Sequence, residues 1–175
     1  MGLKTIFLDR DGVINHEVNY LHKVKDIQFI DGIFDTCHLF LKYNYEIIIV
    51  TNQSGISRGL YTSSQFDEIK KWMNFQFRKR EINILDTFHC PHLPNSNCFC
   101  RKPKPGLFLK AQSKYNINMA KSWMIGDKES DIIAANAAGI FNTILVRSGH
   151  KINEDLSNAK FILDSIANSA EVIKK

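Results

Sequence analysis

The chain has 175 residues, 44% of them hydrophobic, and a formal net charge of +5. That is long enough for one domain with a sizeable core, too apolar for a disordered tail, and lacks an apolar run of bilayer-spanning length. The basic residues are dispersed, with one local cluster at Arg101, Lys102 and Lys104, which suits a small anionic ligand better than the long basic stripe of a nucleic-acid surface.

Lys4 to Leu8 reads as a buried first strand. Its apolar run is too short for a secretion signal and Asp9 ends it, so a cytoplasmic protein is expected. Asp9-Arg10-Asp11-Gly12 follows. Residues i and i+2 of an extended segment share a side, so Asp9 and Asp11 project together from the strand end. Two carboxylates this close call for a cation or a shared proton, and a hard cation such as Mg²⁺ takes oxygen ligands. A solvated acidic turn is the plainer reading of an isolated Asp-x-Asp.

Residues 17–28 read as a loop. Ile33, Phe34, Cys37, Phe40 and Leu41 recur at helical spacing and predict a helix over 32–43, with Cys37 as a small core residue. Ile47 to Val50 is the β-branched run of a central parallel strand, and Thr51-Asn52-Gln53-Ser54-Gly55 follows at once. Ser63 or Ser64 is the expected cap of a helix whose inward residues are Phe66, Ile69, Met73 and Phe77. A third strand is expected over Ile82–Phe88, and a helix from near Gly106, after Pro103 and Pro105. Trp123 to Ile125 is a short strand ending at Gly126-Asp127. An Ala-rich helix over Asp131–Ala138 ends at Gly139. Asp131 is read either as its N-cap or as support for a metal site beside Asp127. Thr143–Val146 and Phe161–Leu163 are the last strands, and Ile166–Ile173 a final helix.

Strands alternate with helices, which implies a single α/β domain over 1–175, with a mostly parallel sheet and helices on both faces. Ligands bind such sheets beyond the C-terminal strand ends. Three strands deliver polar groups there: Asp9 and Asp11, Thr51 and Asn52, and Asp127. No exposed apolar stripe is evident, so a monomer is expected.

Cys90-Pro91-His92, five residues, then Cys98-Phe99-Cys100 offers three thiolates and an imidazole, a donor set for tetrahedral Zn²⁺. Without a secretion signal, the crowding points to metal rather than disulfides. Four protein ligands leave no open position, so the zinc would be structural. It would rigidify a loop over about 89–101 and present Arg101 and Lys102. His89 falls outside the pattern, and His16, His22, His38 and His150 show no ligand spacing.

In order along the chain, Phe7-Leu8-Asp9-Arg10-Asp11-Gly12, Thr51 after its strand, Lys102 in Lys102-Pro103-Lys104-Pro105-Gly106, and Gly126-Asp127-Lys128-Glu129-Ser130-Asp131 resemble the four motifs of the haloacid dehalogenase (HAD) superfamily of phosphotransferases. The resemblance implies a Rossmann-like HAD fold. Asp9 would be the nucleophile and Asp11 the general acid and then base, protonated at neutral pH by its surroundings. Mg²⁺ would be held by Asp9, Asp127 and the Asp11 carbonyl. Thr51 and Lys102 would hold the phosphoryl oxygens.

The zinc-like insert, with Asp9 to Asn15, Thr51 to Ile56 and Cys98 to Gly106, narrows the likeness. It is similar to the capless branch containing the heptose-bisphosphate phosphatases, which remove the C7 phosphate of D-glycero-D-manno-heptose 1,7-bisphosphate for bacterial lipopolysaccharide or other surface glycans. Substrate contacts implied by that likeness are Glu17, Val18, Asn19 and Tyr20, then Asn52, Gln53 and Ser54, then Arg101 and Lys128. Arg101 would meet the second phosphate or the sugar hydroxyls. The histidinol-phosphate phosphatases share the insert and are the alternative. A zinc-knuckle nucleic-acid binder is a remote third reading, which leaves the strand-end carboxylates unexplained. The preferred anomer is left open.

Overall fold

The computed structural model describes residues 2–173. Six strands form one sheet in the order β3-β2-β1-β4-β5-β6, all pairs parallel. They are β1 (Thr5–Leu8), β2 (Glu46–Asn52), β3 (Ile84–Cys90), β4 (Trp123–Gly126), β5 (Asn142–Val146) and β6 (Phe161–Leu163). Helices α1 (Ile33–Lys42) and α2 (Ser63–Arg78) cover one face, and α3 (Gly106–Tyr115) and α4 (Glu129–Ala137) the other.

The period-2 alternation of β1 divides the core. Ile6 and Leu8 pack with Ile33, Cys37 and Phe40 of α1 and Met73 and Phe77 of α2. Phe7 faces the other way, with Phe108 of α3 and Ala134 and Ala135 of α4. Small alanines let α4 lie close to the sheet. Because β1, β2 and β4 are buried on both faces, they read as continuous apolar runs.

Four boundaries differ from expectation. β3 runs over Ile84–Cys90, two residues later than Ile82–Phe88. Ile82 belongs to the turn after α2, where its N–H donates to Phe77 O beyond a left-handed Glu81. The later strand therefore ends on Cys90. Helix α2 is capped by Thr62, not Ser63 or Ser64, in a reciprocal capping box with Gln65. Helix α4 begins at Glu129, which makes Asp131 its third residue and not its N-cap. The last helix is a 3-10 segment, Ile166–Glu171. Its buried residues, Ile166 and Ser169, are three apart, as 3.0 residues per turn requires. Within the expected loop over 17–28, only Val24–Asp26 is helical, as a single 3-10 turn.

Candidate active site and metal centre

The strands carrying the acidic and hydroxyl groups, β2, β1 and β4, are adjacent in the sheet. Leu8 is level with Ile49 on one side and Ile125 on the other. Asp9, Thr51 and Asp127 therefore leave the sheet at one rim, where β1 separates the two halves of the strand order, as expected of a ligand crevice in this topology. A cleft of about 500 Å³ opens over them.

Asp9 Oδ1 accepts the Arg10 backbone N–H at 2.8 Å and lies 3.0 Å from Lys102 Nζ. Its Oδ2 takes no hydrogen bond among the described residues. Lys102 Nζ also sits 2.6 Å from Asp131 Oδ1 and donates to Val50 O at 2.9 Å. Burial raises the Asp9 carboxyl well above its ordinary range, Asp131, Asp127 and Asp11 add to this, and Lys102 opposes it. Lys102 stays charged, since its two carboxylate partners outweigh its own desolvation.

Asp127 is fully buried. Its Oδ2 accepts the His150 backbone N–H at 2.9 Å and meets His150 Nδ1 at 2.6 Å. Gly12 and Gly149 close on the same oxygen, and a Cβ at either would collide with it. Gly12 also needs its left-handed φ of 81°. Asp127 Oδ1 is buried without a partner among the described residues. Asp9, Asp127 and Asp131 each offer an oxygen within 4.8 Å of the others. Three carboxylates against one ammonium, with an orphaned oxygen among them, are a donor set that fits a hard divalent cation.

Asp11 corrects one expectation. Its carboxylate is held by Arg10 Nε and Nη2 at 3.0 and 2.7 Å, by Asn15 Nδ2 at 3.0 Å and by Gln53 Nε2 at 3.2 Å. Burial opposes ionisation, but these four donors outweigh it and hold the carboxyl below its ordinary value, so the surroundings do not favour the protonated form.

The cleft wall contains every expected substrate contact: Glu17, Val18, Asn19 and Tyr20 on one loop, Asn52, Gln53 and Ser54 after β2, and Arg101 and Lys128. Two of them are committed elsewhere. The Asn52 amide donates to Lys102 O at 3.1 Å and accepts Lys102 N–H at 3.2 Å. Gln53 donates to Thr51 Oγ1 at 2.9 Å as well as to Asp11, and its Oε1 accepts the Tyr61 hydroxyl at 2.6 Å. Burial pushes the Tyr61 phenol up to about 12, so it remains a donor. These amides hold Lys102 and Asp11 in place from the cleft wall. Thr51 Oγ1 accepts from Gln53, which leaves its own proton free for a phosphoryl oxygen.

Cys90, His92, Cys98 and Cys100 converge with donor atoms within 4.8 Å of one another. Cys90 Sγ is 3.4 Å from His92 Nδ1 and 3.7 Å from Cys98 Sγ, and His92 Nδ1 is 3.3 Å from Cys100 Sγ. Zn–S bonds of about 2.3 Å give a tetrahedral edge of about 3.8 Å, so the cluster fits the ion. Burial opposes ionisation of Cys98, yet Ser96, the Arg101 backbone N–H and the neighbouring thiols bring it down to about 6. Arg101 Nη1 donates to His92 O at 3.2 Å, which ties the loop to the cleft.

Sequence reasoning missed Arg10, Tyr61 and His150. Arg10 sits inside the first motif, where its neighbours drew the attention. Tyr61 and His150 have no local signal, because their partners lie 8 and 23 residues away in sequence.

Comparison with known proteins agrees with this geometry. A family model described as HAD-hydrolase-like matches residues 99–171. The chain is 40% identical, over 99% of its length and 96% of the relative, to an Escherichia coli protein named D-glycero-beta-D-manno-heptose-1,7-bisphosphate 7-phosphatase. It is 43% identical, over 90% of each, to a Photorhabdus laumondii protein named as the alpha-anomer enzyme. Among solved structures, D,D-heptose 1,7-bisphosphate phosphatase from B. bronchiseptica, complexed with magnesium and phosphate, superposes with a TM-score of 0.85 over 97% of both chains at 28% identity.

Proposed function

The chain belongs to the HAD-like phosphatase family, and on that premise we propose that it hydrolyses the C7 phosphate of D-glycero-D-manno-heptose 1,7-bisphosphate. The products are heptose 1-phosphate and inorganic phosphate. One observation carries the reading. Asp9, Asp127 and Asp131 converge, with Lys102 on Asp9 and Asp131, at the rim of a cleft of about 500 Å³, in a chain aligned end to end with named heptose-bisphosphate phosphatases.

Asp9 Oδ2, the oxygen free of hydrogen bonds, attacks phosphorus in line. The bond to the C7 oxygen breaks, that oxygen takes a proton from Asp11, and an aspartyl-phosphate forms. Water then attacks the phosphorus, Asp11 takes its proton, and phosphate leaves Asp9 free. The ionised Asp11 described here corresponds to the base of the second half. For the first half it must gain a proton, and an incoming phosphate dianion, opposing Arg10, raises its pKa in that direction. Thr51 Oγ1 and Lys102 Nζ donate to the equatorial oxygens. Asp9, Asp127 and the Asp11 carbonyl would hold Mg²⁺, which would supply positive charge between nucleophile and phosphate.

Cys90, His92, Cys98 and Cys100 would hold a structural Zn²⁺, and the bond from Arg101 to His92 O ties that loop to the wall where the guanidinium meets the 1-phosphate or a hydroxyl. The loop over 17–20 forms the opposite wall, so no cap domain is needed. All these groups come from one chain, and a monomer suffices. No helix among the described residues is long and apolar enough to cross a membrane. A cytoplasmic location suits a bisphosphate substrate, which does not cross membranes unaided. Nucleic-acid binding would leave the carboxylate cluster without a purpose.

The test is phosphate release from the α and β anomers of the heptose bisphosphate, with histidinol phosphate alongside. Heptose 1-phosphate as the organic product supports the reading. Equal or faster turnover of histidinol phosphate overturns it.

A further inference from the structure

Thr51 Oγ1 has one hydrogen to give, and the amide beside it decides where that hydrogen goes. Gln53 is buried, and its amide has two unlike ends. Nε2 donates to Thr51 Oγ1 at 2.9 Å and to Asp11 Oδ2 at 3.2 Å. An ionised carboxylate only accepts, so the nitrogen belongs on that side and Oε1 on the other. There Oε1 takes the Tyr61 hydroxyl at 2.6 Å, the shortest of the three bonds. Donation therefore runs one way, from Tyr61 to Gln53 to Thr51, and the Thr51 hydrogen is left for the cleft that Thr51 lines.

Turned over, the same amide would do the opposite. Oε1 would stand where Nε2 now is, accept the Thr51 hydrogen and take it from a phosphoryl oxygen. Asp11 resists this turn only in part, because its bond to Gln53 is the longest of its four and Arg10 and Asn15 supply the other three. Tyr61 is the firmer hold. Its ring is 4% exposed. The His22 imidazole lies nearly parallel to it, with centroids 5.7 Å apart, and is itself pinned by donation from Nδ1 to Tyr20 O at 2.7 Å. Gly55 leaves room for the phenol, since a Cβ there would collide with the ring.

We propose that Tyr61 is a positioning residue for phosphate: its hydroxyl fixes the polarity of the Gln53 amide and so keeps the Thr51 hydrogen available to a phosphoryl oxygen. The inference rests on the phosphate-holding role proposed above for Thr51. Without the hydroxyl, Gln53 Oε1 is a buried acceptor with no partner, a costly state, and turning over lets it claim the Thr51 hydrogen. Tyr61 thus acts on the substrate through two other residues.

The test is Tyr61→Phe, which keeps the ring and removes the hydroxyl, made alone and together with Thr51→Val, which removes the hydrogen at issue. Two readouts are calorimetric titration with inorganic phosphate in excess magnesium, and kcat/KM on heptose 1,7-bisphosphate. Tyr61→Phe should weaken phosphate binding and lower kcat/KM about fivefold each, the worth of one hydrogen bond. In the Thr51→Val protein the same change should cost less than about twofold, whereas a merely structural role would cost the same in both. Unchanged phosphate binding in Tyr61→Phe, an equal loss in the Thr51→Val protein, or a parent that binds no phosphate overturns the inference. A parent that binds phosphate but leaves heptose bisphosphate intact counts against the proposed function alone, and the phosphate titrations still decide the role of Tyr61.

Discussion

Asp9 and Lys102 are both needed for catalysis, yet removing their charges should move stability in opposite directions. Among the buried groups, three carboxylates (Asp9, Asp127, Asp131) face one ammonium (Lys102), while Arg10 and Asp11 neutralise each other. The Asp9 carboxyl is raised by burial and by its acidic neighbours. An acid whose folded pKa exceeds its unfolded value costs stability at any pH above the unfolded value, and the cost vanishes when the charge is removed. Asp9→Asn should therefore melt at or above the parent in magnesium-free buffer, with zinc left in place, and be inactive. Lys102→Met leaves buried carboxylates unpaired, at a cost of about 3–5 kcal/mol. For a chain of this size each kcal/mol is about 2–4 °C in Tm, so it should melt about 6–20 °C lower. Magnesium at about 100 times its Kd adds about 2.7 kcal/mol to the parent, or about 5–11 °C, and less to Asp9→Asn. Thermal unfolding with and without magnesium reads all four values. A metal-free Asp9→Asn melting well below the parent, or a Lys102→Met melting with it, refutes the reasoning.

Cys100→Ser removes one of four zinc donors and should lose bound zinc, lower Tm and cut kcat/KM at least about tenfold, because Arg101 and Lys102 follow directly in the chain; full activity in zinc-free protein would contradict this. Asn52→Ala should lower kcat about tenfold with little change in KM, since the amide holds Lys102 through both its N–H and its carbonyl. A raised KM with unchanged kcat would mean that Asn52 reads the sugar after all. Asp11 has a folded pKa below its unfolded value of about 3.9, so its ion pair stabilises the fold above about pH 4 and ceases to as pH falls below that. Asp11→Asn should accordingly flatten the decline of Tm between about pH 5 and pH 3, and an unchanged slope would count against a persistent Arg10–Asp11 pair.

The strands and helices were legible where periodicity and burial coincide. Ile47 to Val50 can be little other than a strand covered on both faces, and Phe66, Ile69, Met73 and Phe77 can share one side only in a helix. Boundaries failed where hydrogen bonds, rather than apolar spacing, decide them. Ile82 is apolar and adjoins a strand, yet its N–H closes the C-terminal turn of α2. Thr62 caps that helix because Gln65 returns the bond, a reciprocity that Ser63, with Phe66 three residues on, lacks. The sequence leaves Asp131 open between a helix cap and support for the metal site, because the first turn of α4 carries no apolar pattern. In fact its carboxylate reaches back to the Lys128 N–H and across to Lys102.

The acidic and thiol ligands were legible for a related reason: their chemistry forces short spacings that survive in one dimension. The partners that set their charge were not. Arg10 neutralises the residue beside it, His150 takes one oxygen of Asp127 from the loop after the neighbouring strand β5, and Tyr61 aims Gln53 from the far end of the same loop. The Arg10 backbone N–H on Asp9, His150 on Asp127 and Gln53 on Thr51 each occupy one hydrogen-bonding position and leave another open. Asp9 keeps Oδ2, Asp127 keeps Oδ1, and Thr51 keeps its proton. The three open positions belong to adjacent strands of one sheet rim. A phosphate dianion and a divalent cation together supply what they lack: an electrophilic phosphorus for Asp9, a positive charge for Asp127 and an acceptor for Thr51. Neither supplies all three alone. Inorganic phosphate and magnesium should therefore each tighten the binding of the other, a coupling that calorimetric titration of one in the presence of the other measures directly. Independent binding of the two would mean that these open positions do not form a single site.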